Sequence, residues 1–171
     1  MNRIYTDVLV QTAADYNEFR ACATMIDRSK LENVILVADR GYENYNIFAH
    51  AIEKGWKFAI RIKDKNSNGI ASGLNFPPND EFDIDITQIF SRENTKTTKN
   101  ADYKWMPVNQ VFDYLPRKSD KTYVLSFEMA HYADIGIILH REKYIRATRS
   151  TSSFDLISLL VASIIGCSVM P

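Results

Sequence analysis

Asp39 is the residue of this chain best placed to do chemistry. It closes Val34-Ile35-Leu36-Val37-Ala38, five consecutive apolar residues of which three are β-branched, and Arg40, Gly41 and Tyr42 follow it. Such a run reads as a strand buried on both faces, at the centre of a sheet covered by helices. Gly41 gives the backbone freedom for a sharp turn, and a helical pattern begins near Tyr42 and Glu43. A carboxylate at the carboxyl end of a buried strand, just before a helix, stands where open α/β sheets place ligands. There it can hold a metal ion, stand beside a phosphate or act as a nucleophile. The same position also suits a helix N-cap, and Arg40 suits either a phosphate or solvated surface.

The elements that must position Asp39 follow from periodicity. Ile4 to Val10 reads as a strand, with Val8 and Val10 on one face. Thr12 precedes Asp15 at capping-box spacing. Phe19, Cys22, Ala23 and Ile26 then fall at i, i+3, i+4, i+7, an amphipathic helix ending near Arg28. After the Val34–Ala38 strand, Tyr45, Phe48, Ala51 and Ile52 share a helix face that stops at Gly55. Residues 56–63 alternate: Trp56, Phe58, Ile60 and Ile62 face one way, and Lys57, Arg61 and Lys63 form a basic opposite face. Strand, helix, strand, helix, strand over residues 4–63 implies an α/β sheet.

Asn66, Ser67, Asn68, Gly69, Gly73, Pro77 and Pro78 make residues 64–81 a loop. Phe82, Ile84 and Ile86 alternate with polar residues as a further strand. Ser91 to Asp102 reads as a hairpin tip or long turn. Short strands are expected at Tyr103–Met106, Val111–Leu115 and Tyr123–Phe127, so residues 82–127 form a β-rich block. Ile135–Leu139 is another candidate strand. Tyr103 and Trp105, beside Lys104, suit base stacking or core packing. His50 lies near the buried side of its helix, as a structural histidine would, and His131 and His140 suggest no ligand pair.

Composition bounds the function. The 171 residues are 46% apolar and 25% charged, with a formal net charge of zero, which is ordinary globular usage. Residues 1–90 carry 10 Lys/Arg against 13 Asp/Glu, whereas residues 91–149 carry 11 against 7. That mild basic excess permits a nucleic-acid face without requiring one. Cys22 and Cys167 are too far apart for a metal or redox motif, so a reduced, cytoplasmic setting is expected. The first residues lack the apolar core of a signal peptide. Leu156 to Met170 is an uncharged run of fifteen residues, short of the roughly 20 that span a membrane. A buried helix is the simplest reading of that run, a sticky chain end without its packing partner the second, and a membrane tail a distant third.

At Asp39-Arg40-Gly41-Tyr42-Glu43-Asn44-Tyr45-Asn46, between Val34–Ala38 and Ile60-Arg61-Ile62-Lys63-Asp64, the chain resembles DDE transposases of bacterial insertion sequences, the "insertion sequence four" family. The resemblance spans roughly residues 3–127 and takes in Tyr5-Thr6-Asp7. It implies an RNase H-like catalytic domain. Residues 4–10 would be its third strand, Thr12–Arg28 its first helix and Val34–Ala38 its fourth strand; Trp56–Lys63 would be the fifth. The implied fold is thus α/β: a partial RNase H-like core over residues 1–63, a β-rich insertion over 64–127, and a divergent tail with an apolar helix over 128–171.

The resemblance also implies DNA cleavage and joining with two Mg²⁺ ions held by three carboxylates. The ions would activate the attacking oxygen and stabilise the leaving one. Asp39 matches the second acid, as catalytic residue and metal ligand, and Arg40, Lys57, Arg61 and Lys63 are candidates for backbone contacts to DNA. Transposon-end DNA is the implied partner, full-length members leave room for a homodimer, and no membrane is expected. Two departures stand out. The family's first acid lies on a strand upstream of residue 1, and Asp7, 32 residues before Asp39, is not its equivalent. The helix with Tyr-x-x-Arg-x-x-x-Glu that carries the third acid is absent: His140-Arg141-Glu142-Lys143 sets Arg and Glu side by side, and the apolar tail offers only Asp155. An internal start and a shifted frame near the end would produce this pattern. One carboxylate does not neutralise two divalent ions, so weak or absent Mg²⁺ binding and no DNA cleavage are expected. Two other readings use the same residues: a non-catalytic DNA-binding remnant, and an unrelated α/β phosphate-site enzyme using Asp39 with Asp7 or Asp64.

Overall fold

The computed structural model describes residues 6–63, 67–78, 81–95, 100, 102–132 and 135–140. The expected tail helix, Asp64, and Arg141 to Lys143 lie outside the described residues. The architecture is mixed α/β: two helices and a six-stranded mixed sheet, compatible with a partial RNase H-like domain. Helix α1 spans Glu18–Arg28 and α2 spans Tyr45–Glu53. The strands are β1 (Ile35–Ala38), β2 (Lys57–Arg61), β3 (Phe82–Ser91), β4 (Tyr103–Trp105), β5 (Thr122–Tyr132) and β6 (Ile135–His140). Their order across the sheet is β1-β2-β6-β5-β3-β4. Strand β1 is parallel to β2 and β3 to β4, whereas the β2–β6, β6–β5 and β5–β3 pairs are antiparallel.

The core forms where α2 lies on one sheet face. Phe48 of α2 stacks on Phe58 of β2 with ring centroids 5.1 Å apart, and Tyr45 meets Phe90 of β3 edge-on at 4.8 Å. Residues 45–51 are all buried, so α2 is apolar nearly all round, as a helix enclosed between neighbours must be. Helix α1 buries only Ala23 and Ile26. His50 fastens it to α2: Nδ1 lies 2.7 Å from Asp27 of α1 and Nε2 lies 2.9 Å from Asp113. The structural role expected of His50 is therefore what the geometry gives.

Several expectations are corrected. Residues 6–10 form no strand; Val8 and Val10 are exposed, because an alternating pattern needs a partner strand to pair with. The cap of helix α1 lies five residues beyond Thr12. Asn17 caps it, its Oδ1 accepting the Arg20 N–H at 2.9 Å, while Thr12 and Asp15 only close a turn. Among the described residues strand β1 is an edge strand and not a central one, and Ile35 is 59% exposed. The face of β2 opposite the main core is not wholly basic, since Ala59 is buried there with Ala130, Ile137 and Leu139. Strand β4 runs parallel to β3, so β3 and β4 are not the two arms of a hairpin, which leaves the long-turn alternative. Residues 111–115 form turns in place of a strand, burying Phe112 and Leu115. In β4, Lys104 is the inward residue, its Nζ 5.0 Å from the Tyr45 ring centroid, and Trp105 is 44% exposed.

Candidate functional site

Parallel pairing of β1 and β2 brings their carboxyl ends to one edge of the sheet. The strands beyond β2 alternate in direction and bring there the start of β6, the end of β5 and the start of β3. Close approach at this edge requires Gly136, where a Cβ would sit 2.6 Å from Ile62 Cγ1, and the Ile62 N–H donates to the Gly136 carbonyl at 2.9 Å.

Asp39 follows β1 and precedes a 3₁₀ turn, Arg40–Tyr42, which closes by the Tyr42 N–H donating to the Asp39 carbonyl at 2.9 Å. The Asp39 carboxylate is exposed and makes no capping hydrogen bond. The cap of α2 is Asn44, whose Oδ1 accepts the Asn46 N–H at 2.8 Å. The N-cap alternative for Asp39 is thereby set aside. Gly41 adopts no left-handed conformation, and a Cβ there would meet open space; the left-handed glycine is Gly55, at φ 73° after α2.

The edge opens into a cleft of about 110 Å³, rimmed by Arg40 (the residue after Asp39), Arg61 and Lys63 and floored by Phe82, Met129 and His131. Phe76, which also lines the cleft, stacks on Phe82 at 5.1 Å, and Phe82 stacks on His131 at 5.5 Å. Among the described residues none of the three rim cations is paired with a carboxylate. Three unpaired cations around one cleft repel one another, and an anion placed among them relieves that repulsion. Lys57 is not part of this group. It begins β2, opposite Ile35, at the far end of the strand from Arg61.

Asp7 is remote from this chemistry. Arg28 holds it through a hydrogen bond from Nε to Oδ2 of 2.8 Å, and that bond draws the Asp7 carboxyl below its ordinary range. Among the described residues no group of three His, Cys, Asp or Glu side chains converges as a metal site. A single exposed carboxylate, Asp39, is a poor fit for two divalent ions, which need several oxygen donors each. The described residues thus place three cations on one cleft and an exposed carboxylate next to Arg40 in the chain.

Sequence reasoning missed Glu43. Its Oε2 accepts the Lys63 N–H at 2.8 Å and its Oε1 accepts the Ile70 N–H. The signal was present in the spacing, four residues after Asp39, but its two partners lie 20 and 27 residues away and meet it only in the folded chain.

No helix among the described residues is long and apolar enough to cross a membrane. Nothing among curated proteins or solved structures matches the chain. The family described as "Transposase DDE domain" matches residues 1–135, a span that contains β1, the Asp39 turn, β2 and every residue of the cleft except Gly136. The family acts on DNA and typically uses divalent metal ions. On that match, with its acid-bearing turn at the sheet's carboxyl edge, the chain belongs to the transposase DDE domain family.

Proposed function

We propose that this chain is part of an insertion-sequence transposase of the "insertion sequence four" branch. In this reading the cleft beside Asp39 holds the DNA backbone, and the chain by itself does not cleave DNA. The observation that carries the reading is a cleft lined by Arg40, Arg61 and Lys63, none of them paired with a carboxylate among the described residues, with the exposed, uncapped Asp39 next to Arg40 in the chain. Phosphate oxygens suit such a rim, since Arg presents a planar fork and Lys a compact charge. These contacts position DNA without reading its sequence. Asp39 is read as the second of the family's three metal-binding acids. Mg²⁺ is the expected ion in the completed site. Residues 1–63 are the partial core, 64–127 the insertion and 128–171 the divergent tail; the six-stranded sheet runs across those boundaries. Of the competing readings, the phosphate-site enzyme is disfavoured by Asp7, which is engaged with Arg28 away from the cleft.

Purified protein is incubated with supercoiled DNA and Mg²⁺ or Mn²⁺, and its duplex binding is followed from 50 to 200 mM salt. The expected result is no nicking, with salt-dependent binding that weakens when Arg40, Arg61 and Lys63 are together replaced by Ala. Robust nicking that Asp39→Asn abolishes would overturn the claim of inactivity. Binding that ignores the triple replacement would overturn the cleft as the DNA site.

A further inference from the structure

The walls of the cleft belong to separate segments. Arg40 comes from the turn after β1, Arg61 and Lys63 from the end of β2, and Ala71 from a second 3₁₀ turn, Ile70–Gly73. Glu43 touches all three segments. It follows the Arg40–Tyr42 turn, its Oε2 accepts from the Lys63 backbone and its Oε1 accepts from the backbone N–H that opens the Ile70–Gly73 turn. Gly69 leaves room for this carboxylate: a Cβ there would lie 2.6 Å from Oε1, 3.1 Å from Oε2 and 3.0 Å from the Lys63 Cβ.

We infer that Glu43 is a positioning residue for the anion cleft, holding the Lys63 wall and the Ile70–Gly73 wall in register with Arg40 while its own oxygens are turned away from any ligand. Each of its two oxygens is already engaged by a backbone N–H. A carboxylate suits this place and an amide does not. Gln would turn its NH₂ toward one of the two N–H donors, donor against donor. Asp is one methylene too short to span both. The inference rests on the reading of the cleft as a phosphate site.

The test is binding of the full chain to a 30-base-pair duplex over a salt series, where the slope of log affinity against log salt counts phosphate contacts, at about −0.9 per contact. Glu43→Gln is expected to flatten the slope by about two contacts, as Arg61 and Lys63 lose their alignment with Arg40. Gly69→Ala displaces the same carboxylate from the other side and is expected to flatten it equally. The double variant should then be no worse than either single one, as for two changes acting on one contact. If the triple cleft variant lowers binding while Glu43→Gln and Gly69→Ala keep the wild-type slope, the positioning role is wrong and the phosphate reading stands. If the triple variant has no effect, the phosphate reading itself has failed. Unfolding of both single variants, seen by circular dichroism, would assign Glu43 to the fold and also overturn the inference.

Discussion

Arg92 and Asp113 show how single side chains hold the loop that closes the core. Arg92 is buried after β3, and among the described residues no carboxylate pairs with it. Its guanidinium donates instead to the carbonyls of Met106, Pro107, Gln110, Phe112 and Leu115. Residues 106–115 thus wrap a cation where a strand was expected, and burial lowers the Arg92 pKa. Arg92→Met should leave those carbonyls unmet and cost about 3 kcal/mol, read from urea unfolding. Arg92→Lys should recover little, because three donors on a point charge cannot serve a five-donor fork. Asp113 illustrates opposing effects. Burial pushes its carboxyl up, but donation from Asn46 and His50 and the charges of His50 and Arg20 outweigh this and hold it below the ordinary range. A folded-state pKa below the unfolded one adds stability that is full above about pH 4 and is lost as pH falls through the folded value. Asp113→Asn should therefore destabilise the protein at pH 7 and flatten the fall in melting temperature below about pH 4.

At the scale of elements, the helix starts separate local from long-range information. Both α-helices begin at an Asn whose side chain accepts a backbone N–H, Asn17 for α1 and Asn44 for α2. Thr12, which has capping spacing, closes a turn five residues too early because Gln11 instead binds Asn17, with the Asn17 N–H donating to Gln11 Oε1 at 3.0 Å. Asn17→Ala should cost about 1 kcal/mol, while Thr12→Ala should stay within about 0.5 kcal/mol, both read from thermal or urea melts. The strand alternation of residues 56–63 was legible in the sequence. Its consequence was only half legible: Arg61 and Lys63 share a cleft because they end β2, whereas Lys57 begins it. Position along a strand decided which cations meet, and a periodic pattern carries no such information.

For the whole molecule, the sheet order is the controlling fact. Strand β1 stands at one edge, paired only to β2 among the described residues, and four of its neighbouring and own residues, Val34, Ile35, Leu36 and Val37, are apolar with no charge among them. An unblocked apolar edge invites pairing with another chain. Ile35 is 59% exposed, so a charge there disturbs no core. Ile35→Lys should reduce concentration-dependent association, measured by light scattering or sedimentation, with the melting temperature unchanged; equal association in both proteins would show that the edge is protected.

The sequence by itself determined the α/β class, the extents of α2, β2 and β6 to within a few residues, and the acid-bearing turn at Asp39, because each is written in local periodicity and in one short motif. Tertiary structure alone decided that β1 lies at an edge of the described sheet, that residues 6–10 join no strand of it, and that Arg40, Arg61 and Lys63 face one cleft. It also decided that Glu43 serves two backbone donors far along the chain. The physical reason is common to all of these. Whether a strand is central, which cations converge and where a carboxylate finds its donors depend on which strands become neighbours, and that is fixed by pairing across long loops and not by any window of adjacent residues.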